Sequence, residues 1–506
     1  MTSIPEELAS SEEPLRRSDW FTLLKYHLKI RDWDDYPPFV CSFTSPPEDP
    51  AKILVIQLSS IGDVTYTLPA LNGLKRRYPA AEIDLLTEAA CSTGAVGHPA
   101  LEKIWKLPVS GWISALEGKN RKKFSGELRR ILHDLNEKEF DYVINLHFSP
   151  LAASLGKLVE GEKKSGVFME KNLQPVLKGN PFHGLRFLGL LPGNNKLPLS
   201  SVARHSLGLD AFYREVNYYV RKEEKVQKKI SELYGQYHRP GSPHLLINTG
   251  SRMEKRRWSA EHCRQVVKRL LKNDWEVGLI GGPEDKERLD DISRNFSENE
   301  RLIQWYKKTE SLLEDIHLSD RADLVITTDS GPQHLISMRN NSCLVLGGDM
   351  WVGPWNNKSC LLAAKERRLE ALPVEAIVCS AQKLLEGKIP EAGKNLEVYS
   401  GRPKRDSIWY RLLPAAEKTP SSATFRKWMV GMIKLALWAE EGKNYGWRSV
   451  DFPPELLEKL YNLYWEGPVP TPEEKITKAD IPATNLISIS EAAIEEKIGR
   501  FTEQLG

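Results

Sequence analysis

The sequence predicts an α/β protein of two similar domains facing a cleft, with an extension at each end. Three observations predict it. Short apolar runs that end in small-residue turns alternate with helical stripes from Lys52 to about residue 147. The same alternation restarts after the stretch HRPGSP at 238–243. The polar segments with recognisable motifs fall just after the apolar runs. Alternating strands and helices imply mostly parallel sheets covered by helices.

Residues 1–50 are polar, proline-dotted and aromatic, and are expected to pack as an arm without chemistry of their own. ILVIQL (53–58) has the continuous apolar character of a buried strand, and SSIGD (59–63) is a small-residue turn. Leu68, Leu71, Leu74 and Tyr78 then recur at helical spacing. IDLLT (83–87) is the next strand, Phe124, Leu128, Ile131 and Leu135 form a helical stripe, and YVINLH (142–147) is a further strand. Residues 51–240 therefore make the first domain, closing with a charged helix near 222–236 and the linker at 238–243. The second domain, 241–385, has strands at 244–250, 275–283, 324–331 and 342–348 and a helix at 259–273. Residues 386–506 alternate less clearly and are expected to be mostly helical, with helices near 423–441, 454–464 and 489–504.

Composition narrows the function classes. Hydrophobic residues are 41% and charged residues 27%, ordinary soluble usage that excludes a mainly disordered or fibrous chain. The net charge of +3 argues against a nucleic-acid-coating protein. Six cysteines without a Cys-x-x-Cys pair point away from a zinc site and fit a reducing compartment. The N-terminus is acidic and lacks an apolar core, and there is no apolar run of about 20 residues, so the expectation is a cytoplasmic chain. Walker A, Gly-x-Gly-x-x-Gly and His-Glu-x-x-His sequences are absent, which lowers the case for a P-loop NTPase, a dinucleotide oxidoreductase or a zinc protease.

Four segments sit at strand ends, where open α/β sheets bind ligands. SSIGDV (59–64) sets Asp63 near a helix start; an N-cap is the plain alternative to a functional carboxylate. NTGSRMEKRRW (248–258) brings Thr249 and Ser251 together with four basic residues ahead of a helix, a chemistry suited to a diphosphate. A solvated basic loop is the plain alternative. GGPED (281–285) could turn Glu284 or Asp285 towards a ribose hydroxyl. TTDSGPQH (327–334) offers Asp329, Ser330, Gly331 and His334, with backbone N–H groups for phosphate. A cap and a structural histidine are the alternatives there.

ILVIQLSSIGDVTYTLPAL (53–71), KRRW (255–258), GGPED (281–285) and TTDSGPQHL (327–335) together resemble glycosyltransferase family 9, the ADP-heptose:lipopolysaccharide heptosyltransferases and their relatives. The resemblance spans roughly residues 51–385. It implies a GT-B fold, two Rossmann-like domains facing a cleft. It also implies an inverting, metal-independent transfer of a heptose from ADP-heptose, with no cofactor beyond the nucleotide-sugar co-substrate.

The resemblance also implies roles. Asp63 matches the family's general base for the acceptor hydroxyl. Lys255 and Arg256 share the position of a diphosphate-binding lysine, since here the lysine stands one place early. Asp285 or Glu284 would hold the ribose, Asp329 would touch the sugar, and the 330–334 turn with His334 would receive the diphosphate. The loop GGDMWVGPW (347–355) corresponds to a family loop beside the nucleotide. The implied partners are the nucleotide sugar and a glycolipid acceptor of lipopolysaccharide-core type, with no nucleic acid. The basic run KNRKKFSGELRR (119–130) admits a peripheral contact with the inner membrane face, a solvated helix face being its plain alternative. Two rivals stay open: a transferase of the same family that modifies a protein or uses another nucleotide sugar, and a non-catalytic GT-B scaffold.

Overall fold

A computed structural model describes residues 40–43, 46–117, 121–170, 175–179, 207, 223–251, 254–296, 298–339, 341–347, 356, 358–366, 368–391, 395–404 and 407–413. The first sheet contains β1 (Val40–Phe43), β2 (Lys52–Ile56), β3 (Glu82–Glu88), β4 (Lys103–Leu107), β5 (Phe140–Asn145), β6 (Gly161–Met169) and β7 (Pro175–Gly179), in the order β1-β7-β6-β5-β2-β3-β4. All these pairs are parallel except β6–β7. Helices α1 (Ile61–Arg77), α2 (Val109–Glu117), α3 (Arg121–Asn136) and α4 (Pro150–Leu158) join its strands. Side chains along β2 sort onto opposite faces, as the two-residue strand period requires. Ile53 and Val55 pack with Val64 and Leu71 of α1, while Leu54 and Ile56 pack with Phe124, Leu128 and Leu132 of α3.

The second sheet contains β8 (His244–Asn248), β9 (Glu276–Ile280), β10 (Leu302–Gln304), β11 (Leu324–Thr328), β12 (Cys343–Leu346), β13 (Cys360–Ala364), β14 (Leu396–Lys404) and β15 (Ser407–Leu413). Its order is β10-β9-β8-β11-β12-β13-β14-β15, parallel as far as β13 and antiparallel beyond. Helices α5 (Glu224–Tyr237), α6 (Ala260–Lys272), α7 (Lys286–Ser293), α8 (Leu312–Ser319), α9 (Gly331–Met338) and α10 (Val374–Leu385) accompany it. The six parallel strands run in the 3-2-1-4-5-6 order of a doubly wound nucleotide-binding sheet. The order reverses between β8 and β11, and that is where such sheets take ligands. The first sheet reverses in the same way between β2 and β5. Both domains thus have the α/β architecture expected from the alternation.

Three elements depart from the expected layout. Residues 40–43, assigned to a non-sheet arm, pair with β7 as an edge strand. Helix α5, assigned to the first domain, packs on the second: Ile230 is buried with Leu246 and Trp305. Residues 396–413, assigned to a mostly helical extension, form a β-hairpin that continues the second sheet. The helices expected near 423–441, 454–464 and 489–504 lie outside the described residues, as does the loop at 348–355.

The domains are joined through α1 and α9. Ile61 packs against the cores of both domains, and Met338 at the end of α9 is buried in the core of the first. The two helices approach closely because each carries a glycine in its first turn. A Cβ on Gly331 would come within 2.9 Å of the Ile61 Cβ. A Cβ on Gly62 would come within 2.7 Å of the His334 ring.

Candidate functional site

A cavity of about 880 Å³ opens between the domains, within the range of small-ligand sites. The first domain contributes Ser60, Ile61, Ala90, Cys91 and Thr93. The second contributes the turns after β8, β9 and β11 and a wall that includes Tyr306, Lys307, Thr309, Ser311 and Asp315. All four motif segments of the sequence therefore converge on one cleft.

Asp63 belongs to the first turn of α1. The N-cap is Ser60, whose Oγ accepts from the Asp63 N–H at 3.3 Å and donates to Asp63 Oδ2 at 2.8 Å. Asp63 is half-buried; its neighbours Ser60 and Ile61 line the cavity, whereas Asp63 itself is not among the lining residues. It is not itself the cap but the third residue of the helix, where its carboxylate accepts from the cap's hydroxyl. Its charge reaches His334 on the opposite domain and raises that ring's proton affinity.

His334 does not behave as a surface histidine. It is buried, its Nδ1 lies 3.3 Å from the Tyr66 hydroxyl, and its ring is tilted against Tyr66 with centroids 4.8 Å apart. Burial pushes its pKa down to about 3; Asp63 opposes this and Arg256 adds to it. The ring is neutral at pH 7 and fastens α9 to α1. Its Nε2 is 3.9 Å from Asp329 Oδ1.

Asp329 is buried beneath the turn after β11, with its Oδ2 2.8 Å from Arg256 Nη1. The adjacent Arg257 lines the cavity; its Nε donates to the Ser251 carbonyl at 2.7 Å and its Nη1 to Glu254 at 2.6 Å. The side chain of Lys255 lies outside the described residues. The sequence pointed to Lys255 and Arg256 for the diphosphate. Among the described side chains of that run, the cleft wall presents Arg257, which the sequence contained without distinguishing it.

The turn after β8 is held from both sides. The Asn248 amide donates to Thr327 Oγ1 at 3.3 Å and to Ser330 Oγ at 3.4 Å, and the Thr328 hydroxyl donates to the Gly250 carbonyl at 3.2 Å. The Ser251 hydroxyl donates to the Asp329 carbonyl at 3.3 Å. Thr249 is fully buried and its Oγ1 finds no hydrogen-bond partner. Ser330 is the N-cap of α9 without a side-chain bond to the helix, and no acidic residue stands in the first turn. Ser330, Gly331 and Pro332 line the cavity, so the positive end of α9 is directed at it.

After β9, the two carboxylates separate. Glu284 is exposed at the cavity edge. Asp285 is buried against Gly250, where any Cβ would collide with its carboxylate. Burial, then Glu284, raises the Asp285 pKa; Arg288 and Arg257 oppose. Only glycine at 250 lets the two turns approach this closely.

Several lining residues carry no motif: Tyr306, Lys307, Thr309, Ser311 and Asp315. Most come from the irregular segment between β10 and α8, which offers neither periodicity nor a charge run. His238, His244 and Glu276 bring three potential metal-ligand atoms within 4.8 Å of one another. His244 and Glu276 begin β8 and β9, at the end of the strands away from the cleft, and His238 is the C-cap of α5. Glu276 Oε1 is occupied by His238 Nδ1 at 2.8 Å, and His244 Nε2 accepts from Trp305 at 3.4 Å. These bonds describe a linker clasp.

Comparison with known proteins agrees with this architecture. A sequence profile of glycosyltransferase family 9 (heptosyltransferase) matches residues 191–338. The chain is 24% identical over 240 residues to a lipopolysaccharide heptosyltransferase 1 of Pseudomonas aeruginosa, covering 46% of this chain and 61% of that one. It is 22% identical to a lipopolysaccharide heptosyltransferase 3 of Escherichia coli, covering 67% of this chain and 99% of that one. Among solved structures, a family 9 glycosyl transferase from Veillonella parvula superposes with a TM-score of 0.55 at 19% identity, covering 68% of this chain and 99% of that one. The shared architecture is the GT-B fold.

Proposed function

The chain is a glycosyltransferase of the family 9, heptosyltransferase-like kind, and from that premise we propose that it moves a heptose from ADP-heptose to an acceptor of lipopolysaccharide-core type, with inversion and without a metal. The observation that carries this is the cleft. On one wall stands Ser60, whose hydroxyl holds the Asp63 carboxylate, and on the other stand a guanidinium and an open helix N-terminus.

The acceptor hydroxyl attacks the anomeric carbon as the bond from that carbon to the diphosphate oxygen breaks. The hydroxyl proton passes to the Asp63 carboxylate, and ADP leaves with the electron pair. A sugar hydroxyl is too weak an acid to react as an alkoxide at neutral pH, so the base counts. Arg257 and the N-terminus of α9 offset the charge that grows on the diphosphate, which supports a reaction without a divalent cation. Ser60 holds the Asp63 carboxylate in place. Glu284, exposed at the cavity edge, is the carboxylate open to a ribose hydroxyl. The acceptor is a glycolipid reached from the cytoplasmic side; among the described residues no helix is long and apolar enough to cross a membrane.

The test is release of ADP from ADP-heptose in the presence of a lipopolysaccharide-core acceptor. Asp63→Asn should lower turnover by about 10²–10⁴-fold while ADP affinity stays near that of the native chain. Near-native turnover in this variant would remove the general-base role. Turnover should persist in EDTA, and a strict need for added Mg²⁺ or Mn²⁺ would contradict the metal-independent reading.

A further inference from the structure

Asp315 has no role in the reaction as written, and its surroundings call for one. It stands in the first turn of α8 and lines the interdomain cavity with Tyr306, Thr309 and Ser311. It is only 7% exposed, and its Oδ1 has no hydrogen-bond partner. A buried carboxyl oxygen without a partner is costly, so it usually marks a missing ligand or water. This wall comes entirely from the second domain, which holds the nucleotide half of the donor. The sugar end must face Asp63 across the gap, which leaves the nucleobase for the wall at 306–315.

We propose that Asp315 reads the edge of the donor's nucleobase, selecting a base that presents a ring-nitrogen acceptor beside an amino group, as adenine does. This rests on the reading of the cleft as a nucleotide-sugar site. A neutral carboxylic acid offers one donor and one acceptor side by side, the complement of adenine N1 and its 6-amino group. An ionised carboxylate offers two acceptors and would complement the paired N–H groups of guanine instead. Burial, with Glu314 adding to it and a hydrogen bond from Thr309 opposing it, pushes the Asp315 pKa up to about 7, so a large share of the group is the neutral acid at neutral pH. The plain alternative is a first-turn acid that merely favours the helix end. That role would affect stability and leave base selectivity unmoved.

The experiment is calorimetric titration of the full chain at pH 7 with ADP, inosine diphosphate and inorganic pyrophosphate. Inosine diphosphate keeps the diphosphate and ribose but reverses both hydrogen-bonding positions on the base. A site built around a hydrogen bond rejects the analogue that leaves it unmade. The native chain should prefer ADP over inosine diphosphate by on the order of ten- to a hundredfold. Asp315→Asn presents an amide with the same donor and acceptor and should keep that preference. Asp315→Leu should abolish it while pyrophosphate affinity stays within about twofold. Asp315→Ser serves the same arm if the leucine variant does not fold. An ADP preference that survives removal of the carboxyl would overturn this proposal alone. A native chain that binds no ADP would overturn the donor reading and this proposal with it.

Discussion

Arg256 and Arg257 are neighbours in the chain with different work. Arg257 lines the cleft, whereas Arg256 is the ion-pair partner of a buried carboxylate on Asp329. Arg257→Ala should therefore weaken ADP binding by ~1.5–3 kcal/mol, the range for a charged hydrogen bond. Arg256→Ala should act mainly on melting temperature, because it leaves Asp329 buried beside a vacated partner. Titration calorimetry and thermal melts on both variants check the division. Asp315 gives a second expectation. Its folded pKa of about 7 lies above the ordinary carboxylate value. Between about pH 4 and pH 7 the unfolded chain has lost that proton while the folded chain keeps it, so ionisation costs stability as pH rises. Asp315→Asn should melt with the native chain near pH 4 and several degrees above it at pH 8. At this scale the sequence was only partly legible. Asp329 and Ser330 stood out because they follow a strand in a small-residue turn. Arg257 could not be told from Lys255 or Arg256, because rotation along an irregular turn is not encoded in residue type. Asp315 was invisible because its burial depends on the packing of a segment without periodicity.

At the scale of elements, the cleft floor is the contact between α1 and α9. Helix α1 is buried on nearly every side, with the first sheet beneath it and α9 above. Gly62→Ala would drive a methyl group to within 2.7 Å of the buried His334 ring. Since His334 is pinned by Tyr66 and has little room to move, the substitution should cost ~1–3 kcal/mol through overpacking. A denaturant titration would measure that loss, and a transfer assay would report the widened gap. The parallel strands were legible because buried parallel strands are continuous apolar runs bounded by turns. The hairpin β14–β15 was not: its runs are interrupted by Gly401, Pro403 and Lys404, and it belongs to the sheet only by adding to the exposed edge of β13. Helix α5 was assigned to the wrong domain because a linker in sequence does not reveal on which side of it a helix docks.

For the whole molecule, buried histidines held neutral work against stability in acid. Burial holds His334 and His244 at about 3 and His98 at about 4, all below the unfolded value near 6.5. Below about pH 6.5 the unfolded chain takes up protons that the folded chain refuses, so stability falls as pH drops towards 3. Melting temperatures between pH 7 and pH 4 should decline steadily, and His334→Gln should flatten part of that slope. Two domains and a cleft were readable from the restart of alternation after 238–243, because repeated architecture needs only pattern. How the domains join was not, since Ile61 and Met338 look like ordinary core residues in the sequence. Their positions bear on cooperativity. Met338 comes from one domain and is buried in the core of the other, while Ile61 packs against both cores. Unfolding either domain would expose apolar surface on the survivor, so the halves lend each other stability and should melt as one unit. A chain divided ahead of α5, so that this helix stays with the second domain, would then yield two fragments that are each less stable than the parent and gain stability when mixed.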